Sequence, residues 1–574
     1  MPFDDNEQTS SKNFVIAMIV FMAIMFGYEY FADSKKPKQA EAQKTEQIEN
    51  SKDKEDSDDE ADNVSRETLS VEDALNRSSR IPLENDHIIG SIDLNGGIID
   101  SIVLKDYKET TEKDSKNIML LSPKDTEKQF YYAITYVDKT NKDSVSDSTV
   151  WASSNKDSGN KQSLILKTQT QNGLIIERSI TIDDGYYIKI RDKVLNISSK
   201  KIKLQPRSEL IKSNPELHNY AIVREGLVGC SDGKIEEIKY NKIGSKQALK
   251  GNGGWLGYTD LYWLCAVTAN DTGILKYEKN DENTYRISTQ NKTTSIEPNS
   301  MKEFNYSIFA GPKEIKLLKN YRDNEGLDKF DMAIDFGWFF MITKPLIQLV
   351  GVLSDLFSNM GFVILLLTLL FRIITYPLMK KSFISAARMR EVQPKITMLQ
   401  RTYAHDKMRM NQEMMMLYKR EKISPMSGCL PMLLQTPIFF CLYKVFYISI
   451  EMRHAPLFGW IHDLSAPDPL YLFNLFGLIS WDPPSFLKIG VWPLIMGLTM
   501  YLQQKLSTTN NKMKAIVEKT SEQKMQENMM LFMPILFTYI CASFPVAVVI
   551  YWTISNIFSM IQQYYVNKTI GKRG

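Results

Sequence analysis

One arginine lies inside an apolar run, where a charged side chain is costly. Arg372 belongs to the apolar segment 360–378, five residues before Pro377. A charge at the centre of a bilayer costs about 3 kcal/mol on insertion scales, so such residues usually face a bundle interior or a water-filled cavity. A guanidinium in a cavity would attract polar or acidic groups that enter. The alternative is snorkelling, in which the long side chain reaches the headgroups.

Polar side chains recur at a similar depth in several of the apolar segments. They are Thr368, Gln435, Gln503, Gln504, Ser555 and Asn556. No Asp or Glu lies deep in these segments to neutralise Arg372. Together the residues predict a hydrophilic groove that is polar toward the cytoplasm and apolar toward the outer leaflet.

Signatures of common enzymes are missing from the sequence. It contains no HExxH, GxSxG, Walker A or GxGxxG pattern. Five cysteines occur without a CxxC spacing, so we predict neither a zinc site nor a cofactor, and we expect no enzymatic activity. A disulfide between Cys230 and Cys265 stays open as an alternative, because the topology predicted below puts their domain outside the cytoplasm, where disulfides can form.

The 574 residues divide into soluble and apolar parts. The net charge of +3 argues against nucleic-acid binding by bulk charge, and no sequence-specific nucleic-acid partner is predicted. Residues 14–31 are long enough to span a bilayer; a cleaved signal peptide is the alternative, but no small-residue cleavage site follows. The predicted domains are a transmembrane anchor (1–32), a disordered charged linker (33–80), an outer β domain (81–325), an interfacial amphipathic helix (326–358) and a helical core (359–574).

Short alternating runs separated by Asn-Gly and Asp-Asp-Gly turns fill residues 81–325. This pattern predicts a β-sandwich. Such domains often bind ligands, including sugars, but a scaffold or docking role is preferred here. The aromatic segment 337–357 predicts a helix that lies in the membrane interface, with a span as the alternative.

Five further spans are predicted at 360–378, 429–449, 487–506, 529–544 and 546–566. The loop 379–428 has eleven Lys and Arg against four Asp and Glu, whereas Arg453 is the basic residue of 450–486. By the positive-inside rule, 379–428 and both termini are cytoplasmic, and residues 33–336 lie outside.

The basic loop contains its own predicted structure. Residues 380–426 read as two antiparallel helices, the second capped by Asp406, with methionines along both. Methionines adapt to varied apolar partners. This hairpin could pack beneath the membrane against anionic lipid, or it could contact emerging hydrophobic chains or a ribosome.

Several motifs resemble the YidC family of membrane protein insertases, in its Gram-negative form with a large periplasmic domain. They run from Arg372 to Leu378, Met389 to Ile396, Gln412 to Lys419, Gly428 to Pro431, Gln435 to Phe439, Trp460 to Ala466 and Ser555 to Asn556. The resemblance is close over 337–573. Arg372 matches the family's groove arginine, and Thr368, Tyr551 and Trp552 match positions that line the substrate path.

The resemblance implies a multi-domain membrane protein with six transmembrane α-helices, an N-terminal anchor plus a five-helix insertase core, and an extracytoplasmic all-β supersandwich domain. It implies a bacterial inner-membrane insertase that needs no nucleotide and acts alone or with the Sec translocon on nascent membrane proteins. Ribosomes and membrane lipids are the other expected partners. Two different functions stay open: a passive transporter or channel, and a membrane-anchored carbohydrate-binding protein.

Overall fold

The computed structural model describes most of the chain from residue 68 onward. The described residues are 68–139, 144–153, 163–216, 224–244, 247–269, 273–280, 283–337, 339–357, 359–421, 430–508 and 521–571. The predicted anchor at 14–31 lies outside them.

Two antiparallel sheets form a β-sandwich, which confirms the predicted class of this domain. The first sheet contains β1 (Arg80–Glu84), β2 (Ile88–Asp93), β3 (Ile98–Lys108), β4 (Asn117–Leu121), β5 (Phe130–Asp138), β6 (Ser144–Val145), β11 (Ile202–Ser213), β14 (Gln247–Ala248), β17 (Ile274–Lys279), β18 (Thr284–Gln290) and β19 (Thr294–Ile296). The second contains β7 (Ala152–Ser153), β8 (Ser163–Gln169), β9 (Leu174–Ile182), β10 (Tyr187–Asn196), β12 (Gly226–Ser231), β13 (Lys234–Lys239), β15 (Gly254–Thr259), β16 (Trp263–Ala269) and β20 (Met301–Pro312).

The central strands follow the order β1-β2-β3-β5-β11-β18-β17-β14 in the first sheet and β13-β12-β15-β16-β20-β10-β9-β8-β7 in the second. Buried and more exposed residues alternate along β9, because successive side chains of a strand point to opposite faces. The inward faces of both sheets contribute to one apolar core.

A buried ion pair lies between the two sheets. The Arg178 guanidinium donates to both carboxylate oxygens of Asp192 at 2.9 and 2.8 Å, and it stacks over the Trp151 ring at 4.4 Å. The hydroxyl of Tyr136 donates to Asp192 at 2.6 Å. Because these polar groups satisfy each other inside the core, they fix the sandwich rather than form an open site.

The structure differs from the predicted linker at its end. Helix α1 (Val71–Asn76) begins with Ser70, whose Oγ accepts a hydrogen bond from the Asp73 amide at 3.1 Å. Strand β1 then starts at Arg80. The ordered sandwich therefore begins before residue 80, because a capped helical turn precedes its first strand.

The cysteine pair left open by the sequence is not bridged. Cys230 and Cys265 are free and buried. Cys230 pairs with Trp255 of β15, and Cys265 pairs with Tyr258 on the other side of that strand. An intervening strand separates the two by about twice the strand spacing of 4.8 Å, which is too far for a disulfide.

Eight helices follow the sandwich in the described residues. They are α2 (Ile315–Asn324), α3 (Phe340–Leu356), α4 (Met360–Thr402), α5 (Lys407–Glu421), α6 (Leu430–Ile448), α7 (Val491–Thr508), α8 (Ser521–Cys541) and α9 (Val546–Gly571). Within the described residues, two segments are long and apolar enough to cross a membrane by length and composition, Met360–Met389 and Val546–Thr569. Helices occupy all five predicted span positions of the core, whereas the count of six spans stays a prediction.

Helix α4 joins the first core span to the basic hairpin without a break. It continues through Pro377 and Pro394 to Thr402, although the sequence predicted a separate hairpin helix from residue 380. Helix α5 returns antiparallel to it, with Val392, Ile396 and Leu417 in the seam. The carboxylate of Asp406 accepts from the Arg409 amide at 3.0 Å, which is the predicted cap. The first helix of the hairpin is thus continuous with the predicted span.

Contacts at one end of the helices tie them to the sandwich. Arg453, just after α6, donates to the carbonyl oxygens of Lys108 and Glu109 at the end of β3, at 2.5 and 3.2 Å. The amides of Val546 and Ala547, which start α9, donate to Ala466 and Leu464 of the loop that follows α6, at 2.8 and 3.2 Å.

Helix α4 begins against that same loop. Its residue Gly361 packs so closely on Leu457 that an added Cβ would collide with it. Helices α4 and α9 therefore start on the sandwich side and run in the same direction.

A second junction is ionic. Asp335, between the sandwich and α3, pairs with Lys444 of α6 at 2.7 Å and with Arg224 at 3.4 Å. Both Asp335 and Lys444 are almost buried. Burial alone would raise the pKa of Asp335, but the charges of Lys444 and Arg224 outweigh it and hold the pKa below the ordinary value. The pair therefore stabilises the junction only while Asp335 is ionised.

Replacing Asp335 should loosen this junction. We expect Asp335→Asn to destabilise it by about 3 kcal/mol, because two cations lose the carboxylate between them. Urea-dependent cleavage by thermolysin at neutral pH, in the full chain reconstituted in vesicles, measures this loss. Asp355→Asn is the control, because its ion pair with Lys316 is exposed and should contribute less than about 1 kcal/mol.

The same pair predicts a pH dependence. A depressed pKa in the folded state means that the contribution is complete above the ordinary Asp value, about 4, and is lost as the pH falls through the folded value. The difference in unfolding free energy between the parent chain and Asp335→Asn should therefore become smaller as the pH falls. A constant difference from pH 7 down to pH 2 would contradict this account of the junction.

Candidate functional site

The two faces of the first half of α4 have opposite character. Phe362, Leu365, Leu366, Leu369, Leu370, Ile373 and Ile374 are exposed and apolar. Thr368 and Arg372, four residues apart, lie on the buried face, where Arg372 is 7 % exposed. An apolar outside and a polar inside is the arrangement expected of a helix whose outer face meets lipid.

Arg372 points into the bundle rather than toward the headgroups. Its Nη2 donates to the Ser555 carbonyl oxygen of α9 at 2.7 Å, and also to the Ser555 hydroxyl. The residue lies twelve positions after the start of α4, about 18 Å along the axis, and its side chain is buried against α9. This geometry decides against the snorkelling alternative.

The guanidinium has no acidic partner in the described part of the chain. No carboxylate there lies within 4.0 Å of it, and both of its hydrogen bonds use Nη2. A guanidinium carries five N–H donors, so Nε and Nη1 keep donor capacity for another group. Because its charge is not neutralised locally, the site can attract polar or acidic groups of an incoming segment.

Three more of the predicted residues, Tyr551, Gln435 and Thr368, lie around the contact between Arg372 and Ser555. Tyr551 and Ser555 are four residues apart and therefore share a face. The Gln435 side chain of α6 donates from Nε2 to the Tyr551 hydroxyl at 2.9 Å. Thr368 is fully buried, and its hydroxyl donates to the Ile364 carbonyl oxygen at 2.7 Å. The structure thus brings Arg372, Ser555 and Tyr551 together, with Gln435 and Thr368 beside them.

The remaining predicted residues lie on a different face. Trp552 packs against Phe439 of α6 and Phe537 of α8, with ring centroids 4.6 and 5.2 Å apart. Asn556, four residues further, donates to the Thr499 hydroxyl of α7 at 3.2 Å.

Gln503 is half-buried and lies one turn after Thr499. Consecutive residues of a helix point about 100° apart, so Tyr551 and Trp552 contact different sets of neighbours. The predicted residues therefore form two clusters, one around Arg372 and one toward α7 and α8.

The sequence prediction missed the continuation of the polar side. Ser559 and Gln563 repeat the four-residue spacing of Ser555 along α9, and both are buried. Ser382 of α4 is buried too, although it lies beyond the predicted span. The spacing of 555, 559 and 563 could have revealed this stripe. Met379, Phe383 and Val566 pack together near its far end.

Helices α7 and α8 approach each other closely behind the second cluster. A Cβ at Gly497 would collide with the Thr538 hydroxyl, so glycine permits this contact. Small residues at such crossings let helix backbones pack without a gap in membranes. The packing holds Asn556 and its partner Thr499 in place.

The hairpin divides its methionines between two surfaces. Met389 and Met414 pack against the seam, whereas Met398, Met408, Met415 and Met416 are each more than half exposed. The exposed set presents flexible apolar side chains among basic residues. In the described residues, no cluster of His, Cys, Asp and Glu has the make-up of a metal site.

Known proteins match nearly the whole chain. Residues 80–349 match the family described as the YidC periplasmic domain, and residues 352–573 match the 60Kd inner membrane protein family. A membrane protein insertase YidC of Beijerinckia indica is 38% identical over 521 residues, covering 88% of this chain and 84% of that protein. One of Rickettsia massiliae is 35% identical over 577 residues, covering 97% and 99%.

Among solved structures, a galactose mutarotase-like protein from Lactobacillus casei covers 41% of this chain at 11% identity and a TM-score of 0.29, which is too low to support any inference. The two family matches and the long curated relatives agree with each other across both the sandwich and the helices. The chain belongs to the YidC family of membrane protein insertases.

Proposed function

We propose that the chain is an insertase of the bacterial inner membrane, and that nascent membrane proteins enter it beside Arg372. The observation that carries the mechanism is the inward guanidinium on Ser555, without a carboxylate nearby among the described residues. A polar segment of the client would be drawn to this charge from the cytoplasmic side. Transfer of the adjoining apolar segment from water into lipid would then drive insertion, so nucleotide hydrolysis is not required.

The proposed groove comprises Arg372, Thr368, Gln435, Tyr551 and Ser555, with Ser559 and Gln563 continuing it toward the cytoplasm. The apolar outer face of α4 supports a path into lipid beside it. Gln503, Trp552 and Asn556 support the wall of the groove from the α7 and α8 side rather than its charged surface.

The proposed topology places the sandwich in the periplasm and both termini in the cytoplasm. Its support is that α4 and α9 both start beside the loop that contacts the sandwich. The hairpin of α4 and α5 would then lie in the cytoplasm, where its exposed methionines could receive an emerging apolar segment.

The basic side chains of the same hairpin suit contact with the ribosome. We also propose that the chain acts alone or together with the Sec translocon. The domain limits that go with it are an anchor at 1–32, a linker from residue 33 that ends before helix α1, the sandwich, the α3 connector and the core from 359 onward.

Arg372 should act through its charge. In a reconstituted assay with one client, we expect Arg372→Ala to slow insertion roughly tenfold, the equivalent of one charged hydrogen bond of about 1.5 kcal/mol. Arg372→Lys should keep most of the activity, because the cation remains. Ile535→Ala, on the exposed face of α8 and away from the proposed path, is the matched control and should be close to the parent. Equal losses in the Lys and Ala variants would refute a role for the charge.

Photocrosslinking tests the position of the client. A photoreactive residue at 368 or 372 should capture the polar segment of a stalled nascent membrane protein. The same residue at 552 should capture the client less strongly, because Trp552 packs between Phe439 and Phe537. Position 197 is the negative control, since Ile197 is exposed at the end of β10 in the sandwich. Absence of crosslinks from 368, 372 and 552 alike would sink the groove hypothesis.

A further inference from the structure

The loop before α7 exposes an unusual number of large apolar side chains. Between Leu472 and Phe486 the exposed residues are Leu472, Phe473, Leu475, Phe476, Leu478, Ile479, Trp481 and Phe486. Leu478 is 85% exposed. The stretch 472–481 contains no charged residue. An apolar surface of this kind marks a contact with lipid or with another protein.

The backbone of this loop is nevertheless ordered from within. The Phe476 amide donates to the Tyr471 carbonyl oxygen at 2.9 Å, and the Ile479 amide donates to that of Asn474 at 3.1 Å. The Asn474 side chain accepts from the Gly477 amide at 3.1 Å. Satisfied amides are what a segment needs in order to leave water, because lipid offers no acceptors.

Buried and charged groups hold the base of the loop. Asp468, 2 % exposed, accepts from the Trp492 amide at the start of α7 at 2.7 Å and from the Trp460 indole at 3.0 Å. Lys488 pairs with Asp482 at 2.8 Å and lies over the Tyr471 ring. The charges and the tyrosine are thus at the base, and the apolar side chains lie beyond it.

The backbone of the loop adopts an energetically unfavourable conformation at two of these residues. Leu475 and Phe476 both adopt left-handed backbone angles, with φ of 50° and 57°. This region is unfavourable for residues with a Cβ, so the turn needs a compensating contact.

We infer that residues 472–481 form an apolar anchor that inserts into the outer leaflet of the membrane. The loop joins α6 to α7 at the end where Arg453 meets the sandwich, and it continues directly into α7, whose Leu498, Tyr501 and Leu502 are also exposed. Lipid is therefore the neighbouring apolar phase. The aromatic residues of the loop lie beyond Tyr471, Lys488 and Asp482. An interfacial segment has the same order of groups, with polar and charged side chains at the headgroups and apolar side chains in the lipid. The anchor fixes the outer end of α6 and α7 at a defined depth.

A fluorescent probe at the tip of the loop tests this anchor. Leu478→Cys is labelled with the fluorophore NBD in the full chain and reconstituted in phosphatidylcholine and phosphatidylethanolamine vesicles, with or without brominated acyl chains. The described native cysteines are buried, and the labelled parent chain supplies the background. Ile197→Cys is the control, because Ile197 is exposed and lies beside the start of β20. The opposite end of β20 leads to the helices, so position 197 is at the end of the sandwich that is remote from them.

The expected result is a blue-shifted emission at position 478 and several-fold stronger quenching by bromolipid than at position 197. Ile479→Cys should behave alike, which guards against a local effect of one substitution. Equal quenching at 478 and 197 would overturn the proposal. A probe that is shielded but not quenched would also overturn it, since that outcome indicates a protein partner such as a second copy. No client is present, so failure of the proposed insertase activity would not alter this readout.

Discussion

The hydrogen bonds between the Arg372 guanidinium and Ser555 hold the charge on which the proposed mechanism depends. A cation inside an apolar bundle is stable only when its donors find acceptors and it retains contact with a polar surface. Ser555 supplies a carbonyl oxygen and a hydroxyl, which hold the side chain inward without cancelling its charge. A carboxylate in that position would stabilise the arginine more strongly and would remove its attraction for a client. The Arg372 guanidinium is therefore held in a fixed position while its charge is not neutralised by a carboxylate among the described residues.

The rest of the structure keeps this contact in register. Helices α4 and α9 start beside one loop, so the thirteenth residue of α4 and the tenth residue of α9 meet at similar depth. Arg453 and the Asp335–Lys444 pair join that loop and α6 to the sandwich. A continuous apolar core extends from the sandwich into the starts of α4 and α9. The sandwich thus supports the end at which α4 and α9 start, while the contact between Arg372 and Ser555 lies further along both helices.

Much of this arrangement follows from elementary rules of sequence. Alternating residues predict the sandwich, a lone arginine among polar neighbours predicts the site, and an Asp before a helical run predicts the cap at residue 406. Other features depend on tertiary contacts. Consecutive residues such as Tyr551 and Trp552 look equivalent in a motif, but helical geometry sends them to different neighbours. The sequence predicted a span that ends at 378 and a separate hairpin from 380, whereas α4 continues through Pro377 and Pro394 because packing against α5 and α9 compensates for the lost hydrogen bonds. The outward loop at 472–486 could not be foreseen, since an apolar stretch in a sequence normally indicates burial.

The central claim is that the positive charge of Arg372 attracts acidic groups in the polar segment of the client. A charge-swap cycle tests it most directly: insertion rates are measured for the parent chain and Arg372→Glu, each with a client whose polar segment carries acidic residues or lysines in their place. The account predicts that Arg372→Glu slows the acidic client and inserts the lysine client faster than the parent does, with a coupling of about 1.5 kcal/mol. Additive effects, with no coupling between the two changes, would contradict it.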